Sequence, residues 1–131
     1  MKTLIVEDDF TSRVLLQALL QRYGENHIAV NGMEAIQAFQ MALAEEKPYD
    51  LICLDILMPG MNGHEVLKEI RRIEQNQGIF STDGVKIIMI TALDDLGNAF
   101  DAFHELCDAY LTKPIDKAGL IDLLITHHLV Q

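Results

Sequence analysis

Four clusters of chemically useful side chains stand just after apolar runs. Glu7-Asp8-Asp9 follow Leu4-Ile5-Val6, and Asp55 follows Leu51-Ile-Cys-Leu54. Thr91 follows the run from Val85 to Ile90, and Lys113 follows Ala109-Tyr110-Leu111-Thr112. Carboxylates gathered in one crevice repel one another and need a cation at neutral pH. All-oxygen ligands with no His or Cys beside them favour Mg²⁺ or Mn²⁺ over zinc. Mg²⁺ prefers one or two carboxylates together with waters and phosphate oxygens, so a phosphoryl substrate is implied rather than a closed protein cage. Lys113 offers a compact positive charge and Thr91 a hydroxyl donor for a phosphoryl oxygen. Asp55 is then a third ligand, a nucleophile, or both; attack on phosphorus would give an aspartyl phosphate. Singly, each residue has a plainer role: a solvated helix entry for Glu7 to Asp9, a turn start for Asp55, a helix cap for Thr91, an exposed lysine for Lys113. It is their common position at strand ends that favours chemistry.

The elements that must hold these residues follow from periodicity. Apolar runs of four to six residues read as strands buried on both faces. After the first, Thr11 or Ser12 is expected to cap a helix with Leu15, Leu16, Leu19, Leu20 and Tyr23 on one face, stopped by Gly24. His27 to Val30 predict a weak strand, and Asn31-Gly32 the turn into a helix carrying Ala35, Ile36, Phe39 and Leu43. The third strand spans Tyr49 to Leu54. Pro59, Gly60 and Gly63 then break regular structure before a helix with Val66, Leu67, Ile70 and Ile73. Gln75 to Gly84 predict a polar connection longer than usual. A fourth helix is expected around Leu96, Ala99, Phe100 and Phe103, and a last one around Leu120, Leu123 and Leu124. Strand and helix thus alternate five times, which predicts a doubly wound α/β fold with a parallel sheet. Strands one, three and four are the apolar ones and belong in its middle. In such sheets ligands bind beyond the carboxyl ends of the strands, where all four clusters stand.

Composition narrows the classes. The chain has 131 residues, half of them hydrophobic and 23% charged, as expected for one packed domain covering 1–131. A net charge of −10 argues against unaided nucleic-acid binding and suits a basic protein surface or a bound cation. No apolar run reaches transmembrane length and the N-terminus lacks a signal-peptide layout, so a cytoplasmic protein without membrane partners is expected. Cys53 and Cys107 lie in apolar stretches and read as reduced thiols. His64, His104, His127 and His128 read as surface residues, and Met58 and Met61 as packing.

The segments Leu4-Ile-Val-Glu-Asp8, Asp55-Ile-Leu-Met-Pro-Gly-Met-Asn-Gly63, Ile90-Thr-Ala92 and Tyr110-Leu-Thr-Lys-Pro114, at this spacing, resemble the receiver domain of bacterial two-component response regulators. The resemblance implies a flavodoxin-like five-stranded sheet, order 2-1-3-4-5, flanked by five helices. It makes Asp55 the phosphoacceptor, charged from a phosphohistidine on a sensor histidine kinase or histidine phosphotransfer protein. It makes Glu7 and Asp8 the acidic pair, Asp8 binding Mg²⁺ directly and Glu7 through water, with Arg13 at its usual offset. The backbone carbonyl of Leu57 completes the metal set, Thr91 and Tyr110 are the switch pair, Lys113 contacts the phosphoryl group, and Lys113-Pro114 is cis. Leu57 and Leu93, two positions after Asp55 and Thr91, flank the path of a hydrolytic water. The implied function is a phosphorylated switch read by a protein target, not an enzyme. A phosphorelay intermediate, or a receiver module cut from a larger hybrid kinase or regulator, is the alternative. A flavodoxin-like electron carrier would need a Ser/Thr/Gly-rich loop where Glu7-Asp8-Asp9 stand. A phosphatase with an Asp nucleophile would need a second Asp where Leu57 stands.

Overall fold

The structure is a computed structural model that describes residues 1–80, 83–92 and 106–130. Among them are five strands, β1 (Thr3–Val6), β2 (Asn26–Ala29), β3 (Leu51–Asp55), β4 (Lys86–Ala92) and β5 (Ala109–Lys113). Four α-helices accompany them: α1 (Phe10–Leu20), α2 (Gly32–Ala44), α3 (Gly63–Asn76) and α4 (Lys117–Thr126). The helix expected around Leu96 to Phe103 lies outside the described residues, as do His104 and Leu93.

All strand pairs are parallel, and the order is β2-β1-β3-β4-β5. The three apolar strands are the inner three, because only they must hide side chains on both faces. Successive residues feed opposite cores. Leu4, Val6, Ile52, Leu54, Ile87 and Met89 pack with Phe39, Val66, Leu67 and Ile70 on the side of α2 and α3. Ile5, Leu51, Cys53, Ile88 and Ile90 pack with Leu16, Leu20, Leu120 and Leu124 on the side of α1 and α4. Sheet direction reverses its winding between β1 and β3, so the carboxyl ends of those two strands open a crevice there.

Each of these four α-helices is capped by an Asx side chain, which satisfies an amide the first turn leaves unpaired. Asn31 accepts from Glu34 N at 2.9 Å, Asn62 from Glu65 N at 3.0 Å, and Asp116 from Gly119 N at 3.0 Å. The cap of α1 is Asp9, accepting from Ser12 N at 2.9 Å, not Thr11 or Ser12. A carboxylate there also meets the positive end of the helix, which a hydroxyl cannot match.

Several boundaries differ from expectation: β2 runs from Asn26 to Ala29 rather than from His27 to Val30, and β3 begins at Leu51 rather than Tyr49. Asp55 and Lys113 are the last residues of β3 and β5 rather than the first beyond them. α3 runs on to Asn76, so the connection to β4 begins only at Gln77, with Gly78 at φ 76° letting the chain turn. Glu74, the residue before the expected connection, is 3% exposed.

Candidate functional site

β1, β3 and β5 deliver their terminal residues to one crevice. Glu7 directly follows β1 and its amide still donates to Ala29 O at 3.1 Å, which holds it in line with the sheet. Asp55 ends β3, opposite Ile90 of β4. Glu7 and Asp55 are almost wholly buried, while Asp8 is exposed. One carboxylate oxygen from each of the three lies within 4.8 Å of the others. Lys113 Nζ approaches from β5, 3.3 Å from Glu7 Oε1 and 3.6 Å from Asp55 Oδ2.

The electrostatics are unbalanced. Three carboxylates face one ammonium. Burial, then the charge of Glu7, pushes the Asp55 carboxyl up to about 7, against the downward pull of Lys113. Burial disfavours the charge on Lys113, but Asp55 and Glu7 outweigh it and hold the ammonium above its ordinary value. Glu7 Oε1 receives Lys113 and the Asp9 amide, the latter at 3.1 Å. Glu7 Oε2 is buried with no hydrogen-bond partner among the described residues. A buried carboxylate oxygen left unpaired is costly, and a divalent cation or its water would satisfy it. The residues present therefore fit a hard divalent cation.

Asp9, the third acid of the run, is not part of this cluster. Its carboxylate caps α1, and hydrogen bonds from Ser12 hold it below the usual carboxylate range. Of the three acids in the run, Glu7 and Asp8 are the two that gather with Asp55. Arg13, one turn into α1, donates from Nη1 to Glu7 O at 3.4 Å.

Thr91 is 1% exposed near the end of β4, one rung beyond the Asp55–Ile90 pair, and its hydroxyl donates to Ala92 O at 3.2 Å. Thr91 pairs with Thr112 and Ala92 with Lys113, so the hydroxyl and the ammonium belong to the same edge of the sheet. Tyr110 is half-buried opposite Met89, and burial first raises its hydroxyl pKa. The Lys113–Pro114 bond is cis. Leu57 lies in the loop after β3 with its side chain 61% exposed. Met58 is buried and Met61 half-buried, consistent with packing roles. His64 is half-buried rather than a surface residue, and burial, then Lys68, lowers its pKa.

Gly63 makes the crevice compact. A Cβ there would lie 2.4 Å from Asp55 O and 2.7 Å from Ile56 Cα, and its amide donates to Ile56 O at 2.8 Å. Only glycine lets α3 start directly against the end of β3.

Sequence reasoning missed a second polar cluster, Arg71, Glu74 and Asp108, at the opposite ends of β4 and β5. The signal was faint: Glu74 follows Ile73 on a helix whose apolar stripe reaches only partly onto it, with Gly84 ten residues later to make room.

A family model described as the response regulator receiver domain matches residues 3–125. The sensory/regulatory protein RpfC of Xanthomonas campestris is 34% identical over 95% of the chain, which spans 16% of RpfC. Curated relatives among the first matched are longer: the chain spans 47% of regulatory protein VanRB of Enterococcus faecalis. Response regulator TrrA of Thermotoga maritima, solved in complex with Mg²⁺-BeF, is 32% identical with a TM-score of 0.75, covering 96% of this chain and 97% of that one. The receiver domain of Saccharomyces cerevisiae Ssk1, solved with the histidine phosphotransfer protein Ypd1, is 29% identical with a TM-score of 0.77, covering 95% and 86%.

Proposed function

The chain belongs to the response regulator receiver domain family, and on that premise we propose that residues 1–131 act as one phosphoacceptor unit with Asp55 as the acceptor. The observation that carries this reading is the crevice itself: three carboxylate oxygens within 4.8 Å, an unpartnered Glu7 Oε2, and Lys113 Nζ 3.6 Å from Asp55. Asp55 Oδ forms a bond to phosphorus as the donor's P–N bond to histidine breaks, and the electron pair leaves on the imidazole nitrogen. Lys113 neutralises charge gathering on the phosphoryl oxygens. Thr91, buried one rung along, donates its hydroxyl to one of them once the group is in place. Glu7, Asp8, Asp55 and the Leu57 carbonyl would hold Mg²⁺, which supplies Lewis-acid neutralisation of the incoming phosphate.

The phosphoryl donor is a sensor histidine kinase or a histidine phosphotransfer protein. The complex of the Ssk1 receiver with Ypd1 supports that class of partner. The output is a change in a protein-binding surface through Thr91 and Tyr110, read by a downstream protein target. The chain is a switch that assists its own phosphorylation rather than an enzyme acting on other substrates. A net charge of −10 supports protein partners over nucleic acid. No described helix is long and apolar enough to cross a membrane, and a cytoplasmic setting fits the proposed donor.

A second reading is favoured by the relatives' lengths. The chain spans only 16% of RpfC, so it also fits a phosphorelay intermediate or a receiver module of a larger hybrid kinase or regulator. Incubation with acetyl phosphate tests the shared core of both readings. Labelling should require a divalent cation, disappear in Asp55→Asn, and need more Mg²⁺ in Asp8→Asn; labelling indifferent to chelator would contradict it.

A further inference from the structure

β5 carries both Lys113 and Tyr110, yet it is the edge strand and pairs only with β4. Leu111 is the one buried residue among its five. Strand register is normally fixed by the face that must be buried, and a slip of one residue turns every side chain over. One fully buried leucine, with Ala109 and Tyr110 only half-buried against the two cores, specifies that less firmly than the wholly buried inner strands do. A slip would turn Lys113 away from Glu7 and Asp55.

Side-chain hydrogen bonds gather at the strand's entry. Asp108 N donates to Ile87 O at 2.9 Å, and Ile87 N donates back to Asp108 Oδ2 at 2.8 Å. The same Asp108 Oδ2 receives Arg71 Nη2 from α3 at 3.1 Å, and Arg71 Nε donates to Leu106 O at 2.8 Å. Arg71 Nη1 reaches Glu74 Oε1 at 2.7 Å and Val85 O at 2.9 Å. Glu74 Oε2 accepts from Val85 N at 2.7 Å, in space left by Gly84, where a Cβ would lie 2.5 Å from Oε1. One guanidinium therefore binds the residue before β4 and the two flanking positions before β5. Its rigid fork suits that task, since a lysine would offer a single point charge.

We propose that Arg71, acting through Asp108, is a positioning residue for the phosphoryl site: it pins the register of the edge strand and so places Lys113 beside Glu7 and Asp55. This rests on the reading of Lys113 as the phosphoryl-neutralising group. Two measurements on Arg71→Lys separate positioning from mere support. Lysine retains a charge for buried Glu74, so the fold is kept while the fork is lost. The rate of labelling by acetyl phosphate at saturating Mg²⁺ should fall about 10- to 100-fold, the scale expected for a displaced catalytic group. Mg²⁺ affinity should stay within about twofold, because Glu7, Asp8 and Asp55 hang from β1 and β3 and not from the pinned strand. Asp108→Asn, which keeps an oxygen for Ile87, should act in the same direction more mildly. Amide hydrogen exchange should speed up at Leu111 to Lys113 and stay unchanged in β1 and β3. Labelling at the wild-type rate in folded Arg71→Lys would overturn the proposal, as would Mg²⁺ affinity falling in step with labelling. Unaltered exchange in β5 would overturn the register pin alone. A wild-type chain that takes no phosphate under these conditions would overturn the functional reading and this inference with it.

Discussion

Asp55 is the residue whose environment is most unusual, a carboxyl buried against Glu7 with Lys113 as its nearest cation. Its pKa, raised to about 7 by burial and then by Glu7, fixes the sign of a pH effect. The folded state holds this proton more tightly than the unfolded chain does. Stability is therefore fully present below the unfolded carboxyl value near pH ~4 and is lost as pH rises through about 7. In the presence of a chelator, wild-type protein should be less stable to urea at pH 8 than at pH 5. Asp55→Asn should lose less over that interval and be more stable than wild type at pH 8 by about 1–2 kcal/mol. Saturating Mg²⁺ should remove most of the difference; an identical pH profile for the two proteins would show that Asp55 ionises normally. Leu57 is proposed to lengthen the lifetime of the phosphoryl group. Its side chain is 61% exposed beside the site, is apolar, and can neither orient nor activate water. Replacing Leu57 and Leu93 together with Asn or Glu should speed loss of phosphate several-fold at fixed Mg²⁺. An unchanged decay would place control of water elsewhere.

Among the elements, α3 touches both ends of the sheet. Its first residue, Gly63, lies against Asp55, and Arg71 and Glu74 in its later turns hold the entries of β4 and β5. Gly63→Ala must move either the helix or the end of β3, because its Cβ would meet backbone at 2.4 Å rather than a yielding side chain. A cost of about 2–3 kcal/mol is expected, together with weaker Mg²⁺ binding, measured by urea unfolding and cation titration. Arg71→Met leaves Glu74 buried without its charge partner and should cost about 3–5 kcal/mol. These elements were unevenly legible in the sequence. Asp55 stood out because an apolar run ended in one carboxylate before Pro59 and Gly60, a change of chemistry that needs no tertiary knowledge. The cap of α1 did not, since Asp9, Thr11 and Ser12 are all good cap residues and only the backbone decides among them. Arg71, Glu74 and Asp108 are far apart in sequence or ordinary on a helix surface, and only the packing of α3 on β4 and β5 reveals them as one network.

The whole molecule separates a stable frame from a chemically strained edge. Two apolar cores cover the sheet on its two faces, and Glu7, Asp8 and Asp55 gather at one end of it. Phosphorylation at that end is proposed to reach a partner through Thr91 and Tyr110, so Thr91→Ala should still take phosphate at Asp55 yet lose most phosphorylation-dependent partner binding. Retention of that binding would break the proposed link. Which strands lie inside was legible because burial of β1, β3 and β4 on both faces forces them inward, whereas the full order 2-1-3-4-5 followed from the family resemblance; the distances at the site were not legible, because they depend on how three strand ends meet. The most direct test of the account is to label the chain with acetyl phosphate and Mg²⁺, reduce the acyl phosphate with borohydride, which releases the phosphate and leaves homoserine in place of the phosphorylated aspartate, and locate that mark by peptide mapping. One phosphate per chain on Asp55, lost with chelator and absent from Asp55→Asn, is the predicted result; phosphate on any other residue, or equal labelling of Asp55→Asn, would contradict it.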